Sequence, residues 1–118
     1  MSYKLYTDGG ARGNPGPSGV GAVIYEDSEE IYALSKYVGK KTNNEAEYLG
    51  VMAGLKACVD KSIKKVDVYV DSELIKKQLT GEYKVKNARL KILFTKIKEI
   101  ENKFTQVKYN HVKREKNK

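Results

Sequence analysis

At Thr42 the spacing of apolar residues changes period, and that change constrains the fold more than any other feature of the chain. Before it, YKLYT (residues 3–7), VGAVIYE and IYALSKYV alternate or run apolar as strands do. They are joined by the glycine- and proline-rich DGGARGNPGPSG, read as a turn or loop, and by the polar EDSEE, so the first forty residues predict an antiparallel meander. After it, Ala46, Leu49, Met52, Leu55 and Val59 recur every three or four residues and predict an amphipathic helix over residues 44–59. Thr42-Asn43-Asn44-Glu45 supplies its start as a T-x-x-E capping box. A fourth strand (KKVDVYVDS), a short helix over 72–79, a longer helix over 88–100 with Leu90, Leu93, Phe94, Ile97 and Ile100, and a fifth strand (FTQVKYNHV) complete the order β-β-β-α-β-α-α-β. The fold class is α/β: a mixed five-stranded sheet, three antiparallel strands then parallel ones, flanked by helices.

A chain of 118 residues makes one domain, 1–118, without repeats or linkers. Its 40% hydrophobic and 32% charged residues are an ordinary globular balance, and no apolar run approaches a membrane span. The start MSYKLYTD lacks a secretory pattern, and the single Cys58 sits in an apolar helical run, so a reducing cytoplasm is expected and a disulfide framework is not. The net charge of +8 is uneven: residues 1–60 hold 6 Lys/Arg against 8 Asp/Glu, and residues 61–118 hold 17 against 7. Such a basic half attracts polyanions, although lysine surplus also keeps ordinary domains soluble, so charge alone favours nucleic acid only slightly.

Strands 1 and 4 both end in an aspartate, Asp8 in YTDGG and Asp71 in YVDSE. The intervening helix makes a parallel crossover plausible; strands side by side at ~4.8 Å would project both carboxylates from the sheet end where α/β folds bind ligands. Adjacent carboxylates repel unless a proton or cation separates them, and hard oxygen donors suit Mg²⁺ or Mn²⁺. Against this, Asp71 could simply N-cap the next helix and Asp8 start a turn. Glu45 is taken by the capping box, which leaves Glu47 to face the site; taken alone, Glu47 reads as a solvated first-turn glutamate. GARGNPG matches neither G-x-G-x-x-G nor G-x-x-x-x-G-K-[ST] and leads to a strand, so it is not a nucleotide-binding loop.

YTDGGARGNPGPSG, TNNEAEY, YVDSELI, GEYKVKN and HVKREKN, in that order across essentially the whole chain, together resemble type 1 ribonuclease H. The resemblance implies a ribonuclease H-like fold and an endonuclease that cuts the RNA strand of RNA/DNA hybrids with two Mg²⁺ or Mn²⁺ ions. Carried over by position, it implies that Asp8, Glu47 and Asp71 are three of the four metal-binding carboxylates. It further implies that Asn14, Asn43 and Asn44 read the hybrid minor groove, that Thr42 and Asn87 hold a DNA-strand phosphate, and that His111 assists the attacking water or product departure. His111 also reads as a surface histidine near a strand end. Residues 79–90 are too few for the basic protrusion of some members, so the chain is similar to the compact branch; a monomer without membrane association is expected. A nucleic-acid-binding or assembly module that keeps the fold without turnover is the second reading. An integrase- or exonuclease-like nuclease is the third, and TDGGARGNPG speaks against it.

In the resembled family a fourth carboxylate follows the histidine by ten positions, on a C-terminal helix. That position lies three residues past Lys118. The expectation is a 118-residue form that binds metal and hybrid, leaves an apolar patch of sheet exposed and cleaves slowly, with Mn²⁺ or high Mg²⁺ compensating in part. Extension by a terminal helix with aspartate at that position is expected to raise the cleavage rate and lower the Mg²⁺ requirement. Equal rates across a Mg²⁺ titration would show that the fourth carboxylate is dispensable here.

Overall fold

The structure, a computed structural model, describes residues 2–113. The elements run β1 (Tyr3–Ala11), β2 (Gly16–Glu26), β3 (Glu29–Lys41), α1 (Asn43–Asp60), β4 (Lys65–Val70), α2 (Glu73–Leu79), α3 (Ala88–Glu101) and β5 (Gln106–His111). The strands form one sheet in the order β3-β2-β1-β4-β5. β1–β2 and β2–β3 are antiparallel, whereas β4 runs parallel to both β1 and β5, which is the expected mixed sheet. Among the described residues no helix is long and apolar enough to cross a membrane. Residues 114–118, which the sequence reading takes as the approach to a further helix, lie outside the described residues.

The glycine-rich segment is mostly strand: β1 continues through Gly9 and Gly10, paired with Val20 and Gly19, and only residues 12–15 turn. The Arg12 N–H closes that turn on the Pro17 carbonyl at 2.9 Å. Glycine in a strand ordinarily costs about 0.5–1 kcal/mol against alanine. Here a larger residue has no room at Gly9, where a Cβ would lie 2.2 Å from the Ala46 carbonyl oxygen. α1 returns the favour from its own side: a Cβ at Gly50 would sit 2.8 Å from the Asp8 carbonyl oxygen, and one at Gly54 would sit 2.8 Å from Leu5 Cδ1. Three small residues thus let a helix and a strand approach nearly backbone to backbone.

α1 covers β1 and β2 and is itself backed by α3, so its buried arc is wider than one stripe. Ala46 and Leu55 of the expected face are fully buried, but so are Tyr48, Val51 and Cys58, while Leu49, Met52 and Val59 lie half-buried on the flank. The core is completed by Leu5, Ile24, Val68, Ile75, Leu79 and Ile97. Polar groups inside it are paired: the Tyr48 hydroxyl donates to Gln78 Oε1 at 2.7 Å and so ties α1 to α2. Edge strand β5 is held to α3 by the Tyr109 hydroxyl, which donates to Glu101, and Lys98 Nζ donates to the Leu79 carbonyl at 2.6 Å and to Glu101 at 3.3 Å. Burial pushes the Cys58 thiol up to about 12, which leaves it a packing residue rather than a nucleophile. On the sheet face away from α1, Tyr6 stacks on Tyr69 at 4.7 Å and meets Tyr25 edge-on at 5.7 Å.

Gly9→Ala forces a carbon into the α1 backbone and is expected to destabilise the fold by about 1–3 kcal/mol, the usual range for overpacking. Gly10→Ala, whose Cβ would meet nothing within 4 Å, should cost far less. Urea unfolding of both variants checks the contrast; equal midpoints would show that α1 can move away from β1 freely.

Candidate metal centre and nucleic-acid groove

The parallel register of β1 and β4 pairs Lys4 with Asp67, Leu5 with Val68 and Tyr6 with Tyr69. Continued along both strands, it brings Asp8 opposite Asp71. Asp8 does not start a turn: it lies inside β1, paired with Gly21. Asp71 does not cap α2 either, because Ser72 does, its Oγ accepting from the Ile75 N–H at 3.2 Å. Both bland alternatives for these aspartates therefore fail on geometry.

Glu47 arrives from the other side of the sheet end. The expected capping box forms: Thr42 Oγ1 accepts from the Glu45 N–H at 3.1 Å, and Glu45 Oε1 accepts from the Thr42 N–H at 2.9 Å. Glu45 is thereby occupied, and Glu47, two residues on, points elsewhere. The close approach at Gly9 carries Glu47 down onto β1, where its Oε1 accepts from the Gly9 N–H at 2.8 Å. One carboxylate oxygen from each of Asp8, Glu47 and Asp71 then lies within 4.8 Å of the others.

Three like charges this close cannot all ionise cheaply without a counter-charge. Burial pushes the Glu47 carboxyl up to about 8; the charge of Asp71 and a hydrogen bond with it act in the same direction, Asp8 adds less, and the Gly9 N–H opposes them. Asp8 is exposed and Glu47 and Asp71 are half-buried, so the cluster is open on one side. An all-oxygen, strongly anionic, partly solvated donor set fits Mg²⁺ or Mn²⁺, which keep several waters, better than a closed tetrahedral zinc site.

The other sequence-predicted residues divide. His111 is exposed at the end of β5 and pairs with Val70, the residue before Asp71, so it stands at the same sheet end. Asn43 Oδ1 accepts from the Ala11 N–H at 2.8 Å, and Asn14 Oδ1 accepts from the Asn43 N–H at 3.0 Å. Both amides spend their oxygens on backbone, which orients their NH₂ groups as donors. Asn43 and Asn44 line an open groove of about 870 Å³ together with Glu47 and Asp71. Thr42 is the α1 N-cap, and its hydroxyl keeps its proton to donate. Asn87 caps α3, its Oδ1 accepting from Arg89 at 2.9 Å and Leu90 at 3.1 Å, and it is not among the groove-lining residues. The sequence reading missed Arg12, Ser35, Lys36 and Tyr37, which form the far side of the same groove. Arg12 lies in the GARGNPG turn after β1, whereas Ser35, Lys36 and Tyr37 carry no motif and only the β2–β3 register places them there.

Residues 6–118 match the family described as reverse transcriptase-like. The chain is 39% identical over 119 residues to a bifunctional protein of Mycobacterium tuberculosis, covering 99% of this chain and 33% of that protein. It is 36% identical over 110 residues to ribonuclease HI of Halobacterium salinarum, covering 92% and 55%. The chain thus spans a third to about half of these relatives. Among solved structures, that of RNase H1 from Halobacterium salinarum superposes with a TM-score of 0.95 at 33% identity, covering 99% of this chain and 89% of that one. LC11-RNase H1 in complex with RNA/DNA hybrid superposes with a TM-score of 0.93 at 40% identity, covering 98% and 88%.

Because the folded pKa of Glu47 lies above its ordinary value of 4.5, ionising it costs stability progressively as pH rises from that value through about 8. Glu47→Gln keeps an oxygen for the Gly9 N–H without that charge, and is expected to raise the metal-free melting temperature at pH 7 by a few degrees. Mg²⁺ or Mn²⁺ should raise the melting temperature of the wild type and do so less in the variant. Thermal unfolding with and without metal checks both signs.

Proposed function

The chain belongs to the type 1 ribonuclease H family, and on that premise we propose that it hydrolyses the RNA strand of RNA/DNA hybrids at the centre formed by Asp8, Glu47 and Asp71. The observation that carries the reading is the convergence of these three carboxylates within 4.8 Å at the mouth of a groove lined by Asn43 and Asn44. The family matches and a structural neighbour solved with RNA/DNA hybrid support the substrate.

Asp8, Glu47 and Asp71 would hold two Mg²⁺ or Mn²⁺ ions with substrate bound. When bound, such ions supply water activation and neutralise charge on the departing oxygen of an in-line displacement. The new bond joins a water oxygen to phosphorus, and the bond broken is that to the ribose 3′ oxygen. Within this scheme His111 accepts a proton from the attacking water or helps the product leave, because β5 holds it beside Val70 at the same sheet end. The Gly9 N–H keeps Glu47 aimed at the centre.

Strand choice falls to the amide cluster. With their oxygens held by backbone, Asn14 and Asn43 offer NH₂ donors, and Asn44 offers a whole amide, so the three can pair with 2′-hydroxyls and base edges in a minor groove without demanding one sequence. Thr42 offers its hydroxyl to a DNA-strand phosphate. For Asn87 the phosphate contact would come from its NH₂, since its oxygen caps α3. The excess of lysine and arginine, 23 against 15 acidic residues, suits a phosphate-rich ligand and strong salt dependence. We read the protein as a cytoplasmic monomer that acts on this substrate.

Incubation with RNA/DNA hybrid, duplex RNA, duplex DNA and single-stranded RNA, with Mg²⁺ and with chelator, tests the proposal. Only the RNA of the hybrid should be cut, only with metal, and Asp71→Asn should lower the rate by at least a hundredfold with the melting temperature retained. Wild-type turnover in Asp71→Asn would remove that residue from the mechanism. Metal-dependent cutting of duplex DNA alone would favour an integrase-like nuclease instead.

A further inference from the structure

Tyrosines in this protein find partners. Tyr6, Tyr25 and Tyr69 contact one another, Tyr48 donates to Gln78, Tyr109 donates to Glu101, Lys61 lies over Tyr32 and Lys77 over Tyr83. Tyr3 also has a partner. Tyr37 alone among the described tyrosines has none, and it is 70% exposed. A bulky ring held in water on edge strand β3 invites unwanted association unless something covers it.

Its position says what that is. The ladder sets Asp8 beside Gly21 and Gly21 beside Ser35, and the neighbouring row sets Gly10 beside Gly19 and Gly19 beside Tyr37. Paired residues share a face, so Tyr37 stands on the face of Asp8, one row along and two strands across, or ~12 Å away in the plane of the sheet. Between them lie residues without side chains: a Cβ at Gly10 would meet nothing within 4 Å, and one at Gly19 only the Lys36 carbonyl oxygen at 3.6 Å. A register shift at Ser18/Gly19 and the positive φ of Gly39 (+84°) distort β3 beside Tyr37, the kind of irregularity that re-aims a side chain. The groove that starts at Glu47 and Asp71 ends on Tyr37 and Lys36 without a break.

We propose that Tyr37 is a substrate-contacting residue: the far wall of the groove, whose ring packs against the ribose or base of the RNA strand within a few nucleotides of the cut. The inference rests on reading the carboxylate centre as a hybrid-cleaving site. A polyanionic strand suits this wall because Lys36 and Arg12 flank it, and aromatic stacking tolerates any sequence.

The test is fluorescence anisotropy of labelled RNA/DNA hybrid with Ca²⁺ in place of Mg²⁺, together with steady-state cleavage in Mg²⁺, for the wild type, Tyr37→Ala, Tyr37→Phe and Asp71→Asn. Tyr37→Ala is expected to raise Kd and KM about tenfold with kcat within twofold and the melting temperature unchanged; Tyr37→Phe should retain most of the affinity. Asp71→Asn should show the opposite pattern, with kcat lost and Kd nearly kept. If Tyr37→Ala matches the wild type in Kd and KM while Asp71→Asn abolishes cleavage, the inference fails and the cleavage reading stands. Wild type that binds hybrid without cutting it sinks the cleavage reading, and the Kd of Tyr37→Ala still decides the inference. Wild type that does not bind hybrid overturns both. A change in sedimentation with Tyr37→Ala at unchanged affinity would assign the ring to a contact between two copies of the chain and overturn the inference.

Discussion

The close approach of α1 to β1 is the constraint on which the rest of the structure depends. An α-helix normally stands off a sheet by the length of its side chains. Gly9 removes that spacer from the strand and Gly50 and Gly54 remove it from the helix, so Ala46 and Glu47 come to rest on the backbone of Gly9. Two consequences follow from one contact. The core gains a wide buried arc on α1, from Tyr48 to Cys58, and the helix start is lowered until Glu47 reaches the ends of β1 and β4.

That lowering sets fold against function in a defined way. A carboxylate brought beside two others, and partly out of water, is destabilising by itself, and the raised pKa of Glu47 expresses that. Natural active sites hold such local frustration when the surrounding structure over-determines it. Here the surroundings are the capping box that fixes the first turn of α1, the Gly9 N–H that holds the Glu47 oxygen, and the parallel β1–β4 register that aligns the aspartates. The same β-ladder extends the site laterally: it makes a shallow floor of Gly10 and Gly19 and raises Tyr37 at its far side.

Much of this was legible along the chain, because local physics writes it there. Alternation in YKLYT and IYALSKYV, the three- to four-residue period after Thr42 and the T-x-x-E start signal all concern neighbours within a few residues, and the structure keeps each of them. Glu47 could be separated from Glu45 by helix geometry alone. The misreadings share a cause. DGGARGNPGPSG looks like a loop because its glycines favour turns, yet most of it is strand, and what Gly9 in particular answers is a helix some forty residues away. The buried arc of α1 widens past one stripe because α3 backs it. Asn87 is no misreading: its oxygen caps α3, a local role beside the phosphate contact its motif implies, and one that the sequence around it equally allows.

The sequence by itself therefore determined the element order, the family, and the residue types able to hold a divalent cation, since these depend on period, caps and motif. Only the tertiary structure decided that Asp8, Glu47 and Asp71 meet, that Ser72 rather than Asp71 caps α2, and that Tyr37 ends the groove that begins at those carboxylates. The physical reason is range. Hydrogen-bonded turns and hydrophobic periods act over a few residues and leave a trace in the order of amino acids, whereas strand register and helix–sheet approach join residues tens of positions apart, and their geometry exists only once the core has closed around them.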